Sequence, residues 1–227
     1  MSAPQAFDPA QRARWDSSVL ALFKTGDPAS LRTLRDLCLT LAESQDTGAT
    51  GVFWRQCGTF FELAGLNPGL PGTAVKRIVS RILLQYVVQS RGQDTVSEAL
   101  AQELGQFCTR HGTFLEEADE GSRRLEAELG AWANAPQQPL PASTRELAQT
   151  LAVQARGVGF DALADMAQQL AQVLPLAGQR APDVAVQARL LLAAAEHLRQ
   201  LLHQWAAGIA KPVNEQLRQS LAGMLGE

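Results

Sequence analysis

Cysteine is scarce. Cys38, Cys57 and Cys108 are far apart and form no Cys-x-x-Cys pair. An odd, scattered set fits neither a disulfide framework nor a zinc site. Cys38 and Cys57 stand among apolar neighbours, where a thiol behaves as a small buried hydrophobe. Histidine is equally rare, with His111, His197 and His203. The last two are six residues apart, which fails the i, i+4 spacing of a helical metal pair. No metal site is expected. No glycine-rich phosphate loop is present, because Gly48-Ala49-Thr50-Gly51 is not followed by Lys-Ser or Lys-Thr. No Gly-x-Ser-x-Gly elbow appears either. Neither cofactor nor catalytic residue is expected. Charged residues make up only 19% of the chain and net charge is −3, which argues against nucleic-acid binding. No apolar run reaches the ~18 residues that span a bilayer. The N-terminal MSAPQAFDPAQRARW lacks a signal peptide's apolar core. The expected location is cytoplasmic, without membrane insertion.

What the chain does contain is helix-forming material. Apolar residues reach 46% over 227 positions, and Ala, Leu and Gln are abundant. No stretch alternates apolar and polar residues long enough for a strand. The expectation is an all-α protein of two helical bundles, 1–112 and 113–227, the second an antiparallel four-helix bundle. The spacing predicts helices over about 9–23, 28–43, an aromatic-rich third one through Phe53, Trp54, Phe60 and Phe61, then 73–91 and 95–110. Asp27 is the expected N-cap before Pro28. Gln45-Asp46-Thr47-Gly48 and Leu66-Asn67-Pro68-Gly69 read as turns. After a break near Gly112, helices are expected over 114–132, from Ser143 or Thr144 to Gly157, over 160–174, 182–207 and 212–225. Ser143 and Glu146 have capping-box spacing. Glu116, Glu117, Asp119 and Glu120 are placed at a helix start, where acids suit the macrodipole. Arg35–Ala42 lines up with Arg145–Ala152, which suggests an internal repeat.

From Phe114 onward the sequence resembles the histidine-phosphotransfer (HPt) domain, a four-helix module of phosphorelays and chemotaxis kinases. That family has a helix starting Phe-x-x-Glu-Ala, and a later helix with His-x-Leu-Lys-Gly. Here the first is Phe114-Leu115-Glu116-Glu117-Ala118. The second runs Leu147-Ala148-Gln149-Thr150-Leu151-Ala152-Val153, followed by Gly157-Val158-Gly159-Phe160. Gln149 stands at the phosphoacceptor position, Ala152 at the lysine and Val153 at the glycine. An imidazole nitrogen can carry a phosphoryl group, and a lysine offsets its charge. A glutamine amide is no useful nucleophile, since its lone pair is delocalised. The resemblance implies a phosphotransfer-like bundle that has lost its chemistry. In the first-half copy the equivalent position is Leu39.

Degenerate HPt bundles beside an aromatic-rich helical region also look like the FimL scaffold family and the N-terminal arrays of PilL/ChpA-type kinases of type IV pili. Phe53-Trp54, Ala74–Ile78 and Gln85-Tyr86 give the first half a similar character. The implied role is a non-catalytic scaffold whose partners are a response regulator or other pilus and motility signalling proteins. Self-association into a homodimer is compatible with the same pattern. The expected partner-binding face is Arg145, Gln149, Ala152, Val153 and Arg156, extended by Asp165 and Gln169, on the side of the helix opposite Leu147 and Leu151. The core of this bundle is expected to hold Leu147, Leu151, Leu163, Ala167, Leu170, Leu191 and Leu198. Two alternatives stay open: an active phosphotransfer protein that uses one of the three histidines, and a structural fragment of a larger chemotaxis-type kinase.

Overall fold

The computed structural model describes residues 9–44, 48–67, 71–93, 95–178, 184–209 and 211–226. The expected turns at 45–47 and 68–69, and the helix start at Pro182, lie outside these residues. Among the described residues the fold is all-α, with no strand. The helices are α1 Pro9–Thr25, α2 Pro28–Ser44, α3 Ala49–Ala64, α4 Thr73–Ser90, α5 Glu98–Asn134, α6 Ala142–Gly157, α7 Asp161–Val173, α8 Val184–Ala206 and α9 Glu215–Gly226. A short 3-10 turn, Leu174–Leu176, follows α7. The chain divides into two compact units, Met1–His111 and Gly112–Glu227.

The first unit is built on aromatic packing. Trp15, Trp54, Phe60, Phe61 and Tyr86 are almost fully buried. Trp15 lies 5.0 Å from Tyr86 and meets Trp54 edge-on at 6.1 Å, geometries that suit the ring quadrupole. The buried indole Nε1–H of Trp54 donates to Gln89 Oε1 at 2.8 Å, so that buried donor is satisfied. At the α1–α2 corner, Gly26 takes φ 66°, a left-handed value that favours glycine. Asp27 Oδ1 accepts the N–H of Ala29 at 3.0 Å, as an N-cap before Pro28 should. Cys38 and Cys57 have no exposed surface. Burial first, and a bond to Cys38 second, push the Cys57 thiol well up from its usual range. These thiols are packing atoms.

Helix α5 corrects the expected break. Gly112 lies inside one continuous helix, so two helices expected at 95–110 and 114–132 are one. The division between the units falls within α5. Gly112 is exposed, and a Cβ there would meet nothing within 4 Å. A single glycine costs a helix interior about 1 kcal/mol. The flanking turns outweigh that, with His111 and Phe114 both buried. The acidic cluster therefore sits mid-helix and gains nothing from a helix N-terminus.

The second unit holds the C-terminal part of α5 with α6, α7, α8 and α9. Helices α6 and α7 form a tight hairpin. Gly159 has φ 80°, and Phe160 N–H returns to Ala155 O at 2.9 Å, closing α6 in the manner of a left-handed C-cap. Phe160 stacks on Trp205 at 5.0 Å, and Phe114 meets Trp205 edge-on at 5.5 Å. Leu151, Leu163, Ala167, Leu170, Leu191 and Leu198 are buried; Leu147 is only partly so. Helix α9, expected over 212–225, packs on α7 and α8, so a fifth helix joins the expected four-helix bundle. Asn214 caps it, since Leu217 N–H donates to Asn214 Oδ1 at 3.1 Å. Among the described residues no helix is long and apolar enough to cross a membrane.

Candidate functional site

Helix α6 presents two faces. The inner stripe is Thr144, Ala148, Leu151, Ala152 and Ala155, all buried, at the i, i+3, i+4, i+7 spacing of a packed face. The outer face carries Arg145, Gln149, Val153 and Arg156, all exposed, with Val153 71% accessible. Ala152, expected in the centre of this outer face, is only 1% exposed. It belongs to the core. The expected face opposite Leu147 and Leu151 is thus rotated: Leu151 and Ala152 point inward together, while Leu147 lies at the margin.

The start of α6 also differs. Pro141 is the N-cap residue and no side chain caps it. Ser143 and Thr144 both donate to Glu128 Oε2, at 3.0 and 2.8 Å. Their hydroxyls tie α6 to α5 and so do not close a capping box with Glu146. Near the other end of α6, Gln154 Nε2 donates to Glu117 Oε2 at 2.5 Å. Both ties share one antiparallel register, which sets Gly121 of α5 opposite Thr150 of α6. Between them runs a groove of about 580 Å³, lined by Glu116, Glu117, Glu120, Gly121, Glu146 and Leu147 among others. Sequence spacing gave no sign of it, because it arises where two helices meet.

On the other flank of α6, Arg156 Nη2 binds Asp165 Oδ1 of α7 at 2.6 Å. Both groups are exposed, and such a pair contributes little to stability; it fixes the rim of the outer face. Gln169, the expected extension, donates its Nε2 to Arg218 O at 2.9 Å. It is committed to α9. A lysine at position 152 would be buried within the α6 core, where an unpaired charge costs several kcal/mol.

None of the three histidines sits on this face. His111 is 2% exposed in the first unit. It stacks on Phe107 at 4.1 Å, and its Nδ1–H donates to Phe107 O at 3.0 Å. His197 Nε2 accepts the N–H of Asn214 at 3.0 Å. Desolvation lowers its pKa from the ordinary value, against a smaller opposing bond to Gln200. His203 Nε2 donates to Asp119 Oδ1 at 2.9 Å. That bond holds the Asp119 carboxyl below its usual range. Among the described residues no group of three or more His, Cys, Asp or Glu side chains is placed to hold a metal ion.

Arg35–Ala42 of α2 shares its pattern of burial with Arg145–Ala152 of α6. Cys38, Leu41 and Ala42 are buried, as are Ala148, Leu151 and Ala152, whereas Leu39 and Gln149 face out. Leu39 is 40% exposed. Each of these helices packs mainly on the one that follows it.

No curated protein and no solved structure matches the chain. A family model described as the FimL scaffold protein second domain matches residues 1–127.

Proposed function

The chain belongs to the FimL scaffold protein second-domain family, and from that premise we propose a non-catalytic docking module of a type IV pilus chemosensory pathway. Its second unit acts as a pseudo-phosphotransfer bundle, located in the cytoplasm, that receives a response regulator without exchanging phosphate. One observation carries this reading: the outer face of α6 presents Gln149 where a phosphotransfer helix presents histidine. Val153 is exposed beside it, with Arg145 and Arg156 at the rim. An apolar residue within a polar rim is the usual anatomy of a binding patch. The glutamine amide cannot accept phosphate, and the three histidines are engaged in structural bonds elsewhere. The acidic balance of the chain supports protein partners and not nucleic acid.

The test is calorimetric titration with the receiver domain of a pilus chemosensory response regulator. Val153→Glu with Arg156→Glu places two carboxylates on the face at exposed positions, so folding should be spared. Binding by the native chain, lost in the double variant, is the expected result. Equal binding by both, or none by the native chain, would remove this face from the account.

A further inference from the structure

The groove between α5 and α6 lies on the opposite flank of α6 from Asp165, and it has its own chemistry. Its floor includes the partly buried Leu147 and the side-chain-free Gly121. A Cβ on Gly121 would meet nothing within 4 Å, and its φ is not left-handed. Neither the backbone nor close packing requires glycine here, yet glycine costs helix stability. What the missing side chain provides is depth. Around that floor stand Glu116, Glu117 and Glu120 of α5 and Glu146 of α6, against one lining cation, Arg124, which reaches Glu128 at 4.0 Å. Glu117 and Glu120 are already bonded, to Gln154 and Arg123. Glu116 and Glu146 have no partner among the described residues and face solvent. The ties at Glu117 and Glu128 mark its two ends, about 16 Å apart at the helical rise. That length accepts two to three turns of another helix.

We propose that this groove docks a basic amphipathic helix of a partner protein, with apolar side chains over Leu147 and Gly121 and Lys or Arg against the glutamates. Charge complementarity selects this occupant. A neutral or acidic helix would leave like charges facing one another or unpaired, and pure polycation binding would not use the apolar floor. The proposal adds a second surface to the scaffold reading and does not rest on the Gln149 face.

The probe is a fluorescein-labelled Leu/Lys peptide of about fourteen residues, long enough to span the groove as a helix, read by anisotropy on the full chain. A Lys-rich peptide of equal charge without an apolar face is the control. Gly121→Leu fills the groove and replaces a poor helix former with a good one, so it should melt no lower than the native chain. The expected result is saturable binding of the Leu/Lys peptide, weakened about tenfold or more by Gly121→Leu. Glu116→Lys with Glu146→Lys, at two exposed positions, should weaken it similarly and provides the test if Gly121→Leu perturbs folding. Val153→Glu with Arg156→Glu should leave peptide binding unchanged, which separates this groove from the Gln149 face. Absence of saturable binding, equal binding of the Lys-rich control, or unchanged affinity in the folded groove variants would overturn the proposal. So would light scattering showing that a second copy of the chain fills the groove.

Discussion

Replacing Gly112 by alanine should stabilise the protein. Gly112 lies fourteen positions after the first residue of α5 and well before its last, Asn134. It is exposed, its Cβ would enter open space, and its φ is not left-handed. Nothing opposes the change, so the intrinsic difference between glycine and alanine in a helix interior should appear almost whole, about 0.8–1 kcal/mol. For a chain of this size that is a rise in Tm of roughly 2–4 °C. Gly112→Pro is the opposite perturbation. Proline at 112 removes the N–H that would bond the carbonyl of Cys108 and sets its ring against that carbonyl, at a cost of about 3 kcal/mol or more. Thermal and urea melts followed by circular dichroism measure both. If alanine were neutral or destabilising and proline silent, the chain would turn at Gly112 and the continuous helix would be wrong.

Leu151→Ala removes a side chain only 2% exposed and should cost about 2–5 kcal/mol in a denaturant melt, whereas the half-buried Leu147 should cost clearly less. Glu128→Ala strands the Ser143 hydroxyl and the fully buried Thr144 hydroxyl, with an expected loss of about 1–3 kcal/mol; Glu128→Gln keeps an acceptor oxygen and should lose less in the same melt. The pH dependence of α9 follows from His197. Its neutral ring accepts Asn214 N–H, and Asn214 caps α9. Its pKa is lowered in the fold, so the unfolded chain binds more protons below the ordinary value near 6.5. This contribution is complete above about pH 6.5 and declines as pH falls through the lower folded value. Amide exchange in α9 should accelerate over that window, and His197→Gln should flatten the response.

The all-α fold could be read from composition and periodicity because helix propensity and apolar spacing agree along most of the chain. The misreadings each trace to one physical cause. Gly112, beside His111 and Thr113, looks like a break, but buried neighbours on both sides carry the helix across it. The capping-box spacing of Ser143 and Glu146 is real, yet Glu128, fifteen residues upstream of Ser143, takes the hydroxyls. Spacing within one helix cannot show that. Alanine fits either face of a helix, so Ala148, Ala152 and Ala155 gave no signal. Anchoring the pattern on Leu147 and Leu151 rotated the predicted face and placed Ala152 outside. Arg145, Gln149 and Arg156 are exposed, as polar side chains at those positions should be, and Val153 is exposed because the register of Leu151 turns it outward. The family resemblance drew most weight from the residues after Phe114, whereas the matched stretch is dominated by the aromatic first unit around Trp15, Trp54 and Tyr86. The groove was invisible beforehand, since Gly121 acquires meaning only opposite Thr150.

The central claim is docking without phosphoryl transfer. The direct measurement is incubation of the full chain with an acetyl-phosphate-charged receiver domain of a pilus chemosensory regulator, followed by intact-mass analysis under alkaline conditions that preserve phosphohistidine. A complex on native gels, with no added phosphate on this chain, is the predicted result. Stable phosphate on His111, His197 or His203 would contradict it.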